Sequence, residues 1–145
     1  PPIVCNFQLH VQENEIVVLL GRSGSGKTTL LKSIAGLLQP TAGTIQLNGD
    51  DITSKTPNKR NVGIVFQANN YYDHWTVKEH ILQAFSTHKP KSKSPSMQQS
   101  KLAKILTECG LLDLGDRRPA DLSGGQLQRL AIARTLAADH SVILF

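Results

Sequence analysis

"GRSGSGKTT", residues Gly21-Arg22-Ser23-Gly24-Ser25-Gly26-Lys27-Thr28-Thr29, fits the pattern G-x-x-x-x-G-K-[ST]. The residues on either side decide how to read it. "EIVVLL" (Glu15 to Leu20) is a continuous apolar, β-rich run, the pattern of a strand buried on both faces in a parallel sheet. "KTTLLKSIAGLL" then places Leu30, Leu31, Ile34 and Leu38 at helical spacing, with Pro40 and Gly43 punctuating the exit. Without those flanks the stretch would be a Gly/Ser-rich turn before a surface lysine. Between a strand and a helix it is a phosphate cradle.

Each residue type has a physical reason to be there. Glycines at 21, 24 and 26 let the backbone curl so that successive N–H groups converge on phosphate oxygens. The helix start near Lys27 adds partial positive charge. Lys27 supplies a mobile full charge to the outer phosphates, and the Thr28 hydroxyl is a ligand for Mg²⁺. The expected ligand is a nucleoside triphosphate.

Composition sets the limits. The chain has 145 residues, 39% hydrophobic and 19% charged, with a formal net charge of +5, which fits one soluble globular domain. Much of the positive excess lies in "HKPKSKSPSMQQSK" (His88 to Lys101), which reads as a solvated loop with no role in binding nucleic acid. Cys5 and Cys109 are far apart and read as reduced, packed thiols. The histidines form no H-E-x-x-H pair, and no apolar run is long enough to cross a bilayer. A membrane role would therefore come through a partner.

Further along, "TIQLNGDDI" alternates Ile45 and Leu47 before Asn48-Gly49, which predicts a short antiparallel hairpin. "VGIVFQ" (Val62 to Gln67) is a second buried-type strand. From about Asn69 to Leu122 the chain turns helical. "WTVKEHILQAF" has Thr76 as its N-cap, and "SMQQSKLAKILTEC" has Gly110 as its C-cap. "GGQLQRLAIARTLAAD" is a further helix, and "SVILF" (Ser141 to Phe145) a terminal strand. The pattern is α/β with a helical insertion.

"LSGGQLQR", from Leu122 to Arg129, narrows the field. The chain resembles the ATP-binding-cassette ATPases, whose signature motif is LSGGQ, here Leu122, Ser123, Gly124, Gly125 and Gln126. "VFQ" resembles that family's Q-loop, with its glutamine at Gln67. "QRLAIARTLAADHSVILF" resembles the stretch from signature helix to Walker B strand. From the residues alone, Ser123-Gly124-Gly125 before a helix is a second anion site, although a plain serine N-cap would also place Ser123 there.

The resemblance implies a P-loop NTPase core with a parallel sheet, a small antiparallel β part and an inserted helical subdomain. The expected division is a core and β part over 1–68, a helical subdomain over 69–122, and the signature helix with the Walker B strand over 123–145. It implies ATP and Mg²⁺ as cofactors, with Gly21 through Thr29 and Gln67 on the nucleotide and Thr28 and Gln67 on the metal. The signature of one subunit covers the nucleotide held by the other's P-loop, so the partner is a second ATPase subunit, identical or related. Permease subunits, and in uptake systems a solute-binding protein, are the other partners. Location would be peripheral, on the cytoplasmic face of a membrane, the bacterial inner membrane in such systems.

It further implies that the aspartate and catalytic glutamate follow Phe145, and that the adenine-stacking aromatic precedes Pro1. The sequence then reads as a piece cut at both ends, with no catalytic residue of its own. "NKRN" lacks the aspartate of the guanine-reading N-K-x-D, against a small GTPase. Pro119, three residues before Leu122, and "NKRNVGIVFQ" resemble importer ATPases, which favours an uptake system. A soluble cassette protein acting on ribosomes, or a non-hydrolysing regulator, is the alternative.

Overall fold

The computed structural model describes residues 4–66, 71–85 and 95–145. The chain divides into two compact units, Pro1–Arg60 and Asn61–Phe145.

In the first unit, helix α1 (Lys27–Ile34) follows the glycine-rich loop. It stops earlier than the spacing of Leu38 suggested. Gly36, at φ 83°, turns the chain out of the helix. The Gly36 N–H donates to the Ser33 carbonyl at 3.1 Å and the Leu37 N–H to the Lys32 carbonyl at 2.9 Å, a Schellman closure. Leu38 is left exposed, and the exit signal is Gly36 rather than Pro40 or Gly43.

Strands β1 (Gln46–Leu47) and β2 (Asp50–Asp51) form the expected antiparallel hairpin, pairing Gln46 with Asp51 and Leu47 with Asp50. Asn48 and Gly49 lie at φ 52° and 84°, the hand that a two-residue type I′ turn requires.

Glu15–Leu20 departs from expectation. It forms no strand, and Ile16 and Leu20 are 92% and 89% exposed. An apolar run is a strand only when a ladder partner lies beside it. The only described strands in this unit pair with each other in the hairpin.

Arg60 holds the first unit together. Its side chain is 1% exposed. It donates to the carbonyls of Lys55 at 2.8 Å, Ser33 at 2.7 Å and Ile34 at 3.0 Å, and to that of Thr53. The last turn of α1 is thereby tied to the segment after the hairpin. Gly36 makes room for it, because a β-carbon there would sit 2.5 Å from Arg60 Nε.

Gly36→Ala is therefore expected to cost well over the ~1–2 kcal/mol of a left-handed alanine. Gly110→Ala should cost only that penalty. Gly110 is also left-handed (φ 62°), but its nearest neighbour would be Arg129 Nε at 3.9 Å. Urea unfolding of the two variants checks the difference.

The second unit pairs strands β3 (Val62–Ile64) and β4 (Val142–Leu144) in parallel, Val62 opposite Val142 and Ile64 opposite Leu144. Between them run helices α2 (Val77–Phe85), α3 (Pro95–Glu108) and α4 (Gly124–Ala137). Val77, Ile81, Ile105, Leu106, Leu111 and Leu130 are the heart of their shared core. The signature helix thus belongs to the same packed body as the helical insertion.

Both expected caps are present. The Thr76 N–H donates to Glu79 Oε2 at 2.6 Å while the Glu79 N–H donates to Thr76 Oγ1 at 3.3 Å, a reciprocal box at the start of α2. Gly110 closes α3 with the Leu111 N–H on the Leu106 carbonyl at 2.8 Å. The supposed loop His88–Lys101 is helical from Pro95 onward, and its earlier residues lie outside the described ones. Of the two thiols only Cys109 is packed; Cys5 is exposed.

His80, on α2, is 1% exposed among Tyr71, Tyr72 and Trp75. Its Nε2–H donates to the Tyr72 carbonyl at 3.2 Å, and its buried Nδ1 has no hydrogen-bond partner among the described residues. Burial, and then the nearby Arg134 charge, push the imidazole pKa down, against smaller upward effects of the Tyr72 carbonyl and Glu79. The folded state therefore holds His80 neutral. Stability is full above the unfolded value near 6.5 and is lost as pH falls from there through the lower folded value. A loss of stability is expected between pH 7.5 and 5.5. It should shrink in His80→Phe, as measured by urea unfolding at both pH values.

Candidate functional site

The glycine-rich loop is shaped by its own backbone. Gly24 and Gly26 lie at φ 81° and 94°, where other L-residues are strained. At Gly21 a β-carbon would meet Ser25 Oγ at 2.7 Å, a hydroxyl that can rotate aside. The turn is closed by the Ser25 N–H on the Arg22 carbonyl at 3.2 Å. Lys27 Nζ folds back to donate to the carbonyls of Gly21 at 2.7 Å and Arg22 at 2.9 Å, so the ammonium sits over the loop.

Helix α1 begins without a side-chain cap, because its N-cap is Gly26, and no acid lies in its first turn. Its first described intrahelical closure is the Leu30 N–H on the Gly26 carbonyl at 2.9 Å. The N–H groups of Lys27, Thr28 and Thr29 precede any intrahelical acceptor. With Arg22, Ser23, Ser25 and Thr28 exposed and no acid in the first turn of α1, the loop presents donors and a cation. That arrangement fits a polyphosphate. Thr28 adds an exposed hydroxyl, an oxygen of the kind Mg²⁺ takes as a ligand.

The second motif opens α4 with a complete capping box. The Ser123 N–H donates to Gln126 Oε1 at 2.8 Å, and the Gln126 N–H to Ser123 Oγ at 3.4 Å. Ser123 and Gln126 are thus engaged with each other. Leu122 is 9% exposed in the core and anchors the motif instead of presenting a side chain.

Gly124 and Gly125 are different. Both are exposed, neither has positive φ, and a β-carbon on either would meet nothing within 4 Å. The fold of this chain does not require glycine at either position, and each costs a helix up to about 1 kcal/mol relative to alanine. Bare backbone there leaves room for close approach from outside the chain.

The loop lies in the first unit and the signature in the second. Gln67 lies outside the described residues. Two residues near these motifs escaped sequence reading. Arg60 entered only as part of a resembling phrase, and Tyr71, on the signature helix's flank, carries no motif. Neither a lone arginine nor a lone tyrosine signals its partner in sequence.

Comparison with known proteins agrees with this geometry. The family model described as ABC transporter matches residues 4–145. The chain is 44% identical over 138 residues to the thiamine import ATP-binding protein ThiQ of Yersinia pseudotuberculosis, covering 95% of this chain and 57% of that protein. It is 45% identical over 141 residues to the sulfate/thiosulfate import ATP-binding protein CysA of Pectobacterium atrosepticum, covering 95% and 42%. A solved dimeric structure of the ATP-binding cassette MJ0796, in a post-hydrolysis state bound to ADP and Pi, superposes with a TM-score of 0.83 at 30% identity, covering 97% and 64%.

The fold is that of a P-loop NTPase of the α/β class. The chain belongs to the ABC transporter family. It spans about 57% of the length of the ThiQ protein it matches.

Proposed function

We propose that this chain binds ATP with Mg²⁺ and, in the intact protein, hydrolyses it to drive uptake of a solute across a membrane. The exposed, structurally unexplained pair Gly124-Gly125 supports this reading most strongly. Together with the uncapped, donor-rich start of α1, it makes two phosphate-facing surfaces on one chain. In this reading Gly21 through Thr29 hold the triphosphate, with Lys27 on the outer phosphates, and Thr28 and Gln67 hold the metal.

Ser123, Gly124, Gly125 and Gln126 close over the nucleotide of a second ATPase subunit. The bound nucleotide supplies the phosphoanhydride that is cleaved. The chain's own groups bind it, orient it and shield it from bulk water.

The helical part of the second unit is the proposed contact for permease subunits. Tyr72 and Met97 are 54% and 59% exposed there. No helix among the described residues is long and apolar enough to cross a membrane. In this reading the permease contact holds the chain peripherally, on the cytoplasmic face. A solute-binding protein would deliver cargo from the other side.

The cargo is not carried by these residues. Relatives named for thiamine and for sulfate or thiosulfate are equally similar, at 44% and 45% identity. The import relatives support the uptake reading over a ribosomal or non-hydrolysing one. Reconstitution with the permease tests it: solute should accumulate only with ATP and an intact Lys27. Accumulation that ignores both would refute it.

A further inference from the structure

We infer that Tyr71 is a positioning residue for the signature turn, a role that rests on the ATPase reading above. Its hydroxyl donates to the Leu127 carbonyl at 2.6 Å. Leu127 is also the residue whose N–H closes the first turn of α4, on the Ser123 carbonyl at 2.9 Å. The phenol therefore grips the signature turn at the residue that defines it.

The Leu127 carbonyl already faces the helix N–H one turn on, so the phenol takes its second lone pair. The bond is not needed to satisfy the helix; it fixes the helix's placement. Two other contacts fix the ring. The Arg134 guanidinium, two turns further along α4, lies 5.7 Å from the ring centroid. The buried His80 ring of α2 meets it edge-on at 5.6 Å. Tyr71 thus lies along α4 from Leu127 to Arg134 and joins that helix to α2. Packing alone would be served as well by phenylalanine. The hydroxyl adds to the buried Leu122 anchor a hold on the turn of Ser123, Gly124 and Gly125 that phenylalanine lacks.

Tyr71→Phe in the intact protein separates positioning from packing. Amide exchange at Gln126 and Leu127, the two N–H groups bonded to Ser123, should quicken without nucleotide present. The KM for ATP should stay within about twofold, while kcat falls roughly two- to tenfold, the size of one lost hydrogen bond. Tyr71→Leu should add a loss of urea stability that Tyr71→Phe does not show. Unchanged exchange, or unchanged kcat, in Tyr71→Phe would overturn the inference. If the wild-type protein shows no Lys27-dependent turnover, the ATPase reading fails instead, and the exchange result alone then decides whether Tyr71 holds the turn.

Discussion

Lys27→Ala is expected to abolish Mg²⁺-dependent ATP turnover in the intact protein and to weaken ATP binding roughly ten- to hundredfold. The ammonium lies over the loop, 2.7 Å and 2.9 Å from the carbonyls of Gly21 and Arg22, held by neutral oxygens it can leave. Moving to phosphate exchanges those bonds for charge-assisted ones worth about 1.5–3 kcal/mol. Turnover loses more than binding because the same charge stabilises the transferred phosphoryl group. The loop itself should survive, since its left-handed turns at Gly24 and Gly26 do not depend on the lysine. Phosphate release and equilibrium binding of a fluorescent nucleotide check both parts. Turnover near the wild-type rate would remove the loop from the site.

Gly124→Asp should instead leave nucleotide binding by the monomer nearly unchanged. Nothing lies within 4 Å of a β-carbon at Gly124, so the aspartate fits the folded chain without strain. Near a helix start its charge is even mildly favourable. Facing a second subunit's triphosphate, however, it sets like charges against each other in a closed interface. Monomer affinity for ATP should stay within about twofold, while ATP-dependent dimerisation and turnover are lost. Ser123→Arg should act the same way through bulk. Sedimentation with and without ATP, alongside nucleotide binding, separates the two effects. Equal loss of binding by the monomer would mean that the motif acts on its own chain's nucleotide.

Local features were the most legible in the sequence. Asn48-Gly49 predicted a hairpin, and Thr76 and Gly110 predicted caps, because each is decided by backbone preferences of one or two residues. Gly36 was passed over for Pro40 because the apolar spacing of Leu38 extended the helical pattern past its true stop. Glu15–Leu20 failed for a different reason. Its apolar character is real, but a strand is a relation between two segments, and the described residues hold no partner for it.

The glycine-rich motifs were found from pattern, yet their division of labour was not. Only the structure shows Ser123 and Gln126 engaged with each other, Leu122 buried, and the two glycines bare. Arg60 and Tyr71 were illegible because their partners are main-chain carbonyls, which leave no mark in sequence.

Mixing two inactive variants tests the shared site most directly. If one subunit's loop meets the other's signature, a dimer of Lys27→Ala with Gly124→Asp has one composite site carrying both defects and one carrying neither. An equimolar mixture should regain roughly a quarter of wild-type turnover if pairing is random, rising to about a half if only mixed dimers close. If loop and signature served the same chain's nucleotide, every site in the mixture would keep a defect. Turnover would then stay at background, contradicting the two-subunit site.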